Sequence, residues 1–337
     1  MKLSKARIVV SGSTTILGRD VLNILSEQNV PVEQVSALDT GRATDEVSYG
    51  LDDVLKVQSS DSFNFEKDQI VIHTGEGRDA AGLARKATAA GAIFIDGSGT
   101  FALDPDVPLI VPEVNGALLE QKLPKSVIAS PNSISIFLSL ALNPLHIKAG
   151  IKRAVVSTYQ SVSHWGREAQ DELFNQTKAM FMAQNIKSEA MPKQIAFNTY
   201  PMLGFERDDG LTDIEWQAIA QTKKIVDPKI KLAINTVTVP AFVGDGMMVN
   251  VECNDEVSPI KVGMWMTGQK GLGVIETGED LPTHADVSGE DFTYIARLRD
   301  DFSVDNGLSF WVIGDNLRKG SALNLVQIAE TFLAATK

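Results

Sequence analysis

The chain passes from an apolar run, Arg7-Ile8-Val9-Val10, through Gly12-Ser13-Thr14-Thr15-Ile16-Leu17-Gly18 into a helical pattern. From Gly18 to Gln28 that pattern puts Val21, Leu22 and Leu25 on one face. A glycine-bearing turn between a first strand and a first helix constrains the fold more than any other feature here. It is the right context for a phosphate-binding turn, in which backbone N–H groups at the helix start face an anion. The runs that follow keep the alternation: Gln34 to Leu38, Asp68 to His73, a helix from Arg78 to Ala90, then Ala92-Ile93-Phe94-Ile95. Leu109-Ile110-Val111 and Val127-Ile128-Ala129 add two expected strands. Strand–helix alternation with short connections means a parallel, doubly wound sheet.

Beyond Ile151 the texture changes. Longer strands are expected at Lys152 to Val162, Lys229 to Val239 and Leu308 to Ile313, with helices at Arg167 to Ala183 and Thr212 to Ile225. Such strands with helices to one side suggest an α+β domain. The most apolar helix, from Ser133 to Leu145, is expected to close at Asn143-Pro144, and the last helix to run from Lys319 to Ala335. The fold class is therefore α/β, an N-terminal Rossmann-like doubly wound parallel sheet plus a C-terminal α+β domain. The expected boundaries are 1–131 with 319–337 for the first domain and 132–318 for the second. A length of 337 residues exceeds what one core usually serves.

A net charge of −12, from 31 basic against 43 acidic residues, argues against nucleic acid or an anionic membrane as partner. Cys253 is the sole cysteine, which excludes an intrachain disulfide and a cysteine-rich metal site and fits a reducing cytoplasm. The first residues are too weakly apolar for a signal-peptide core, and no run reaches membrane-spanning length, so a soluble protein is expected. The four histidines, His73, His146, His164 and His284, lack metal-ligand spacing, and no metal is expected. Asp39 stands where an acid would accept from a ribose 2′-hydroxyl; Arg42 could instead meet a 2′-phosphate, and a solvated turn is the plain alternative.

Several blocks carry a resemblance. Asp104-Pro105-Asp106-Val107-Pro108-Leu109-Ile110-Val111-Pro112-Glu113-Val114-Asn115 is followed by Ser130-Pro131-Asn132-Ser133 and Ser157-Thr158-Tyr159-Gln160-Ser161-Val162-Ser163. Ile195-Ala196-Phe197-Asn198 and Asp315-Asn316-Leu317-Arg318-Lys319-Gly320-Ser321-Ala322 complete the series. In this order they resemble the aspartate-semialdehyde dehydrogenase family over almost the whole chain. The resemblance implies an NADP- or NAD-binding first domain, with Gly12, Ser13, Thr14, Thr15, Ile16, Leu17 and Asn316 on the cofactor. It also implies a second domain whose long sheet forms a homodimer, and an alternative pairing with an active paralogue.

The same resemblance locates departures. The family turn reads Gly-x-Thr-Gly-x-Val-Gly; here its middle glycine is Thr15, whose side chain counts against tight cofactor binding. The family cysteine of Asn-Pro-Asn-Cys-Ser-Thr is Ser133, and a hydroxyl needs a neighbouring base where a thiol of pKa ~8.5 does not. The acid–base histidine position is Asp245, the substrate-clamping arginine is Thr238, the phosphate arginine is Ala102, and an acidic position is Gln221. Gln160, Asn132 and Lys224 are kept, the first to orient a carbonyl, the others on the substrate side; a buried structural glutamine and a surface lysine are the plain alternatives.

Where the family has Ser-Gly-Ala-Gly, this chain has Ser163-His164-Trp165-Gly166. Two arrangements follow: a Ser133–His164–Asp245 hydrolase relay, or side chains that fill a site no longer open to substrate. Loss of one nucleophile alone costs about 10⁶-fold in turnover. The expectation is a non-catalytic family member resembling the Usg-type paralogues that lack the cysteine, acting in interaction or regulation. The alternative is an NAD(P)-dependent oxidoreductase acting on an aldehyde or oxo group in aspartate-family amino-acid biosynthesis.

Overall fold

The computed structural model describes residues 2–40, 45–276, 278 and 280–336, so Arg42 lies outside the described residues. The chain forms two compact units, Met1–Asn132 with Gly320–Lys337, and Ser133–Lys319.

The first unit opens with β1 (Ile8–Ser11), α1 (Ile16–Glu27) and β2 (Val35–Asp39). A hairpin of β3 (Glu46–Tyr49) and β4 (Asp53–Ser59) follows, then β5 (Ile70–His73), α2 (Gly77–Ala89), β6 (Ile93–Asp96), α3 (Pro112–Asn115) and β7 (Val127–Ala129). The sheet order is β3-β4-β2-β1-β5-β6-β7, parallel throughout except for β3 against β4. Strand order reverses at β1, which pairs with β2 on one side and β5 on the other, and ligands of open α/β sheets bind at such a point. Central strands are buried on both faces, which is why β1 and β5 read as unbroken apolar runs.

The second unit begins with α4 (Ser133–Ala149) and β8 (Ile151–Gln160). Then come α5 (Arg167–Phe181), α6 (Asp213–Ile225), β9 (Lys231–Asn235), β10 (Asp245–Cys253), α7 (Pro259–Met266), β11 (Leu272–Val274), β12 (Thr293–Asp300) and β13 (Gly307–Gly314). They build a mixed six-stranded sheet in the order β11-β12-β13-β10-β8-β9. A last helix, α8 (Leu323–Ala335), belongs to the first unit, where Leu325, Val326, Ile328 and Ala329 join the core of β1, β5 and α1. Asn324, fully buried at its start, donates to the Ile110 carbonyl at 3.1 Å and to Ser130 Oγ at 2.8 Å.

The alternation of the first unit and the mixed sheet of the second agree with the expected fold class. Two local expectations are corrected. Leu109-Ile110-Val111 is not a strand but a single bridge, Leu109 to Ala129, because Pro108 has no N–H and the Val111 N–H turns back to Asn115 Oδ1 at 2.9 Å. Nor does α4 stop at Asn143-Pro144; it continues to Ala149 with Pro144 inside it. An interior proline costs about 3 kcal/mol, and here Leu145 and Ala149 beyond it are fully buried, which offsets the loss. The β3–β4 hairpin, α3, β10, α7, β11 and β12 are elements beyond those expected.

Candidate functional site

Two groups of the singled-out residues take shape, one in each unit. In the first unit the chain leaves β1 at Gly12, with φ +83°, where a Cβ would come within 2.5 Å of the Gly75 backbone nitrogen. A Cβ on Gly18 would meet the Gly12 carbonyl at 2.2 Å. Both positions need glycine so that α1 can begin directly against β1. Thr15 does not adopt the positive φ that the glycine of the turn would allow. It is the N-cap of α1 at φ −69°, its Oγ1 accepting from Gly18 N at 3.0 Å and donating to the Gly12 carbonyl at 2.8 Å. The conformational part of the objection to threonine is thereby corrected.

Ile16 and Leu17 form the first turn, where backbone N–H groups have no intrahelical acceptor. Ser13 is buried and donates through Oγ to the Leu38 carbonyl at 3.0 Å. Asp39, ending β2, is tied to this loop: its Oδ2 accepts from Thr14 N at 3.2 Å and from Thr14 Oγ1, and its Oδ1 from Thr40 N at 2.7 Å. His73 ends β5 beside Phe94, its ring stacked at 5.6 Å, and burial pushes its pKa down. Ala102 is buried in the same unit.

In the second unit the centre is Asp245, the first residue of β10 and fully buried. Its register partner on β8 is Gln160 and on β13 Gly314. Ser133 opens α4 and donates through Oγ to Asp245 Oδ2 at 2.7 Å. His164, in the short turn Val162–Trp165, places Nε2 at 2.8 and 2.9 Å from the two Asp245 oxygens. Gln160, also fully buried, turns its amide nitrogen to the carboxylate at 3.0 Å and accepts from Thr158 Oγ1 at 3.3 Å. Asp245 thus collects a hydroxyl, an imidazole N–H and an amide, each charge-assisted.

Ser133, His164 and Asp245 converge, as one expectation had it, but in another order. A hydrolase relay needs the imidazole between hydroxyl and carboxylate. Here the carboxylate stands between, and Nε2 is engaged by Asp245, which corrects the relay.

Beside this cluster Trp165 donates from Nε1 to Thr238 Oγ1 at 3.1 Å, and that hydroxyl donates to the Met202 carbonyl at 2.9 Å. The indole meets Tyr200 edge-on at 6.0 Å, and Tyr200 exchanges two backbone hydrogen bonds with Thr238. Asn316, expected on the cofactor, accepts from Gly244 N at 2.8 Å and Ser161 Oγ at 3.3 Å and donates to Ser163 Oγ at 2.9 Å. It braces the residue before Asp245 and the turn that carries His164, a role no sequence signal announced. Asn132 directly precedes α4; Lys224 sits half-buried in the last turn of α6, and Gln221 is buried one turn earlier.

Cys253, eight residues along β10, is no substitute nucleophile: burial, then Asp255 and Glu252, push its thiol up to about 11. Among the described residues no three histidine, cysteine, aspartate or glutamate side chains are grouped to hold a metal ion. No described helix is long and apolar enough to cross a membrane.

Residues 7–122 match the semialdehyde dehydrogenase NAD binding domain, and residues 142–319 the semialdehyde dehydrogenase dimerisation domain. The chain is 39% identical to the aspartate-semialdehyde dehydrogenase of Rickettsia conorii over 98% of both chains. It is 36% identical to that of Aquifex aeolicus, over 96% of this chain and 97% of that one. The crystal structure of aspartate semialdehyde dehydrogenase II from Vibrio cholerae superposes with a TM-score of 0.93 at 33% identity, covering 97% of this chain and 98% of the other. With both domains matched and relatives alike from end to end, the chain belongs to the aspartate-semialdehyde dehydrogenase family.

Proposed function

We propose that this chain keeps the family fold but has lost the phosphorylating dehydrogenase reaction, and acts as a non-catalytic homodimer in interaction or regulation, like the Usg-type paralogues it resembles. The observation that carries the reading is the buried Asp245 carboxylate with Ser133, His164 and Gln160 as its donors. Attack on a carbonyl needs a nucleophile whose proton has somewhere to go. The Ser133 hydroxyl is held as a hydrogen-bond donor to a carboxylate that two further donors also face, and no imidazole is interposed to take its proton.

The substitutions also compensate one another in pairs. Asp245, in place of the family histidine, is bonded to His164, which replaces a glycine of the resembling motif. Thr238, in place of the family arginine, is bonded to Trp165, which replaces an alanine. A threonine cannot make the bidentate grip on a carboxylate that an arginine makes. The four positions bond to one another in pairs and hold no arginine for a substrate carboxylate, which supports a filled site over an open one.

The first unit supports retention of a nucleotide. Gly12 and Gly18 sit where any Cβ would collide with backbone, and the start of α1 offers N–H groups suited to a pyrophosphate. NAD or NADP would supply a hydride acceptor there. That loop favours the second reading, an NAD(P)-dependent oxidoreductase acting on an aldehyde or oxo group. The dimerisation-domain match supports pairing through the second unit with a second copy; pairing with an active paralogue is the alternative.

Oxidation of aspartate semialdehyde in phosphate, followed by formation of NADPH or NADH, tests the proposal. The unchanged chain should show no turnover above a protein-free control, and Ser133→Cys alone should not restore it. Turnover by the unchanged chain would sink the non-catalytic reading; turnover by Ser133→Cys alone would sink the argument that the other substitutions disable the site.

A further inference from the structure

The end of β2 carries information about which dinucleotide the first unit takes. Asp39 is half-buried at the edge of the crevice opened by the strand-order reversal, and its carboxylate does not swing freely. Thr14 fixes Oδ2 through both N–H and hydroxyl, and Thr40 N fixes Oδ1. Two consequences follow from these bonds alone. First, both donors of Thr14, which could otherwise serve an anion, are turned onto the carboxylate. Second, Oδ1 has one protein donor in place and a lone pair left to accept a hydroxyl.

The crevice is therefore polarised. Its α1 end presents the first-turn N–H groups of Ile16 and Leu17, which have no acceptor within the helix, and suits negative charge. Its β2 end presents a fixed carboxylate and repels negative charge. NAD and NADP share the pyrophosphate and differ at the adenosine ribose, where one has a 2′-hydroxyl and the other a phosphate. In a strand-order crevice of this kind that ribose lies toward the end of the second strand.

We propose that Asp39 makes the first unit selective for the unphosphorylated dinucleotide, NAD over NADP, as a binding property independent of turnover. The selectivity rests on attraction for one hydroxyl and repulsion of one phosphate, with Thr14 as the positioning residue for the acid.

Calorimetric titration of the full chain with NAD⁺ and, separately, NADP⁺ tests this without any catalytic readout. The expected result is an NAD⁺ dissociation constant at least about tenfold below that of NADP⁺. Asp39→Ser, checked for folding by its melting curve, should bring the two constants within about threefold, mainly by strengthening NADP⁺. NADP⁺ binding as tightly as NAD⁺ to the unchanged chain overturns the proposal, and so does the absence of heat with either at millimolar concentration. The unchanged chain decides the matter even if the variant fails to fold. Turnover in the semialdehyde assay would overturn the non-catalytic reading and leave this one standing.

Discussion

The loop after β1 and the cluster at the head of β10 have both departed from the family pattern, with different results. In the loop, backbone groups present a helix start to an anion, and the substituted residue, Thr15, settles into an ordinary N-cap. At β10 the family's chemistry depends on particular side chains, and each substitution there has acquired a new partner: Asp245 with His164, Thr238 with Trp165. Main-chain groups stay in place when a side chain changes; the thiolate, imidazole and guanidinium of the family pattern go with their residues.

The sharpest way to break this contrast is to remove the centre of the cluster. Asp245→Ala leaves Ser133, His164 and Gln160 facing a buried gap, and should cost about 3–5 kcal/mol in urea unfolding. A cost below about 1 kcal/mol would mean that the three donors find other partners and that the cluster is not a unit. Next is Gly12→Ala, which combines a left-handed φ with a 2.5 Å approach to backbone and should cost about 3 kcal/mol while abolishing dinucleotide binding.

A third expectation concerns pH. Burial lowers the His73 pKa below its ordinary value of about 6.5, so the unfolded chain binds the proton more tightly. The stability that depends on neutral His73 is complete above pH ~6.5 and is lost as pH falls toward the lowered folded value. One proton limits the slope to about 1.4 kcal/mol per pH unit. Melting temperatures from neutral pH downward should fall less steeply for His73→Gln than for the unchanged chain. The smallest effect belongs to the cap: Thr15→Ala should cost about 1 kcal/mol, and Thr15→Gly only a few tenths. If Thr15→Gly instead strengthened nucleotide binding by an order of magnitude, the threonine side chain would be an obstacle and the loop no longer a tolerant region.

Much of the first unit was legible because buried parallel strands leave unbroken apolar runs such as Ile70-Val71-Ile72, and Gly12 and Gly18 punctuate the turn between strand and helix. The β3–β4 hairpin was not, since Glu46, Ser48, Asp53, Lys56 and Gln58 interrupt its apolar residues. Pro144 misled because its cost is local while the burial that offsets it is tertiary. In the candidate site, the convergence of Ser133, His164 and Asp245 could be anticipated from motif order. Which of them stands in the middle depends on the β8–β10 register that pairs Asp245 with Gln160, and no motif encodes it. The bonds of Asn316 were hidden for a similar reason: Gly244, Ser161 and Ser163 are distant from it in sequence and meet it only in the folded unit.

The place of α8 has a consequence for synthesis. Its residues Leu323 to Leu333 belong to the core of the first unit, yet they leave the ribosome after every residue of the second. The first unit therefore waits with Ile8, Ile72 and Ile95 short of their last covering helix while the second, contiguous unit can close on its own. In the making of this protein the later-encoded unit is the one free to fold first. Chaperone demand should fall on the first unit, and released chains truncated before Leu323 should be cut there by protease while residues 133–319 resist.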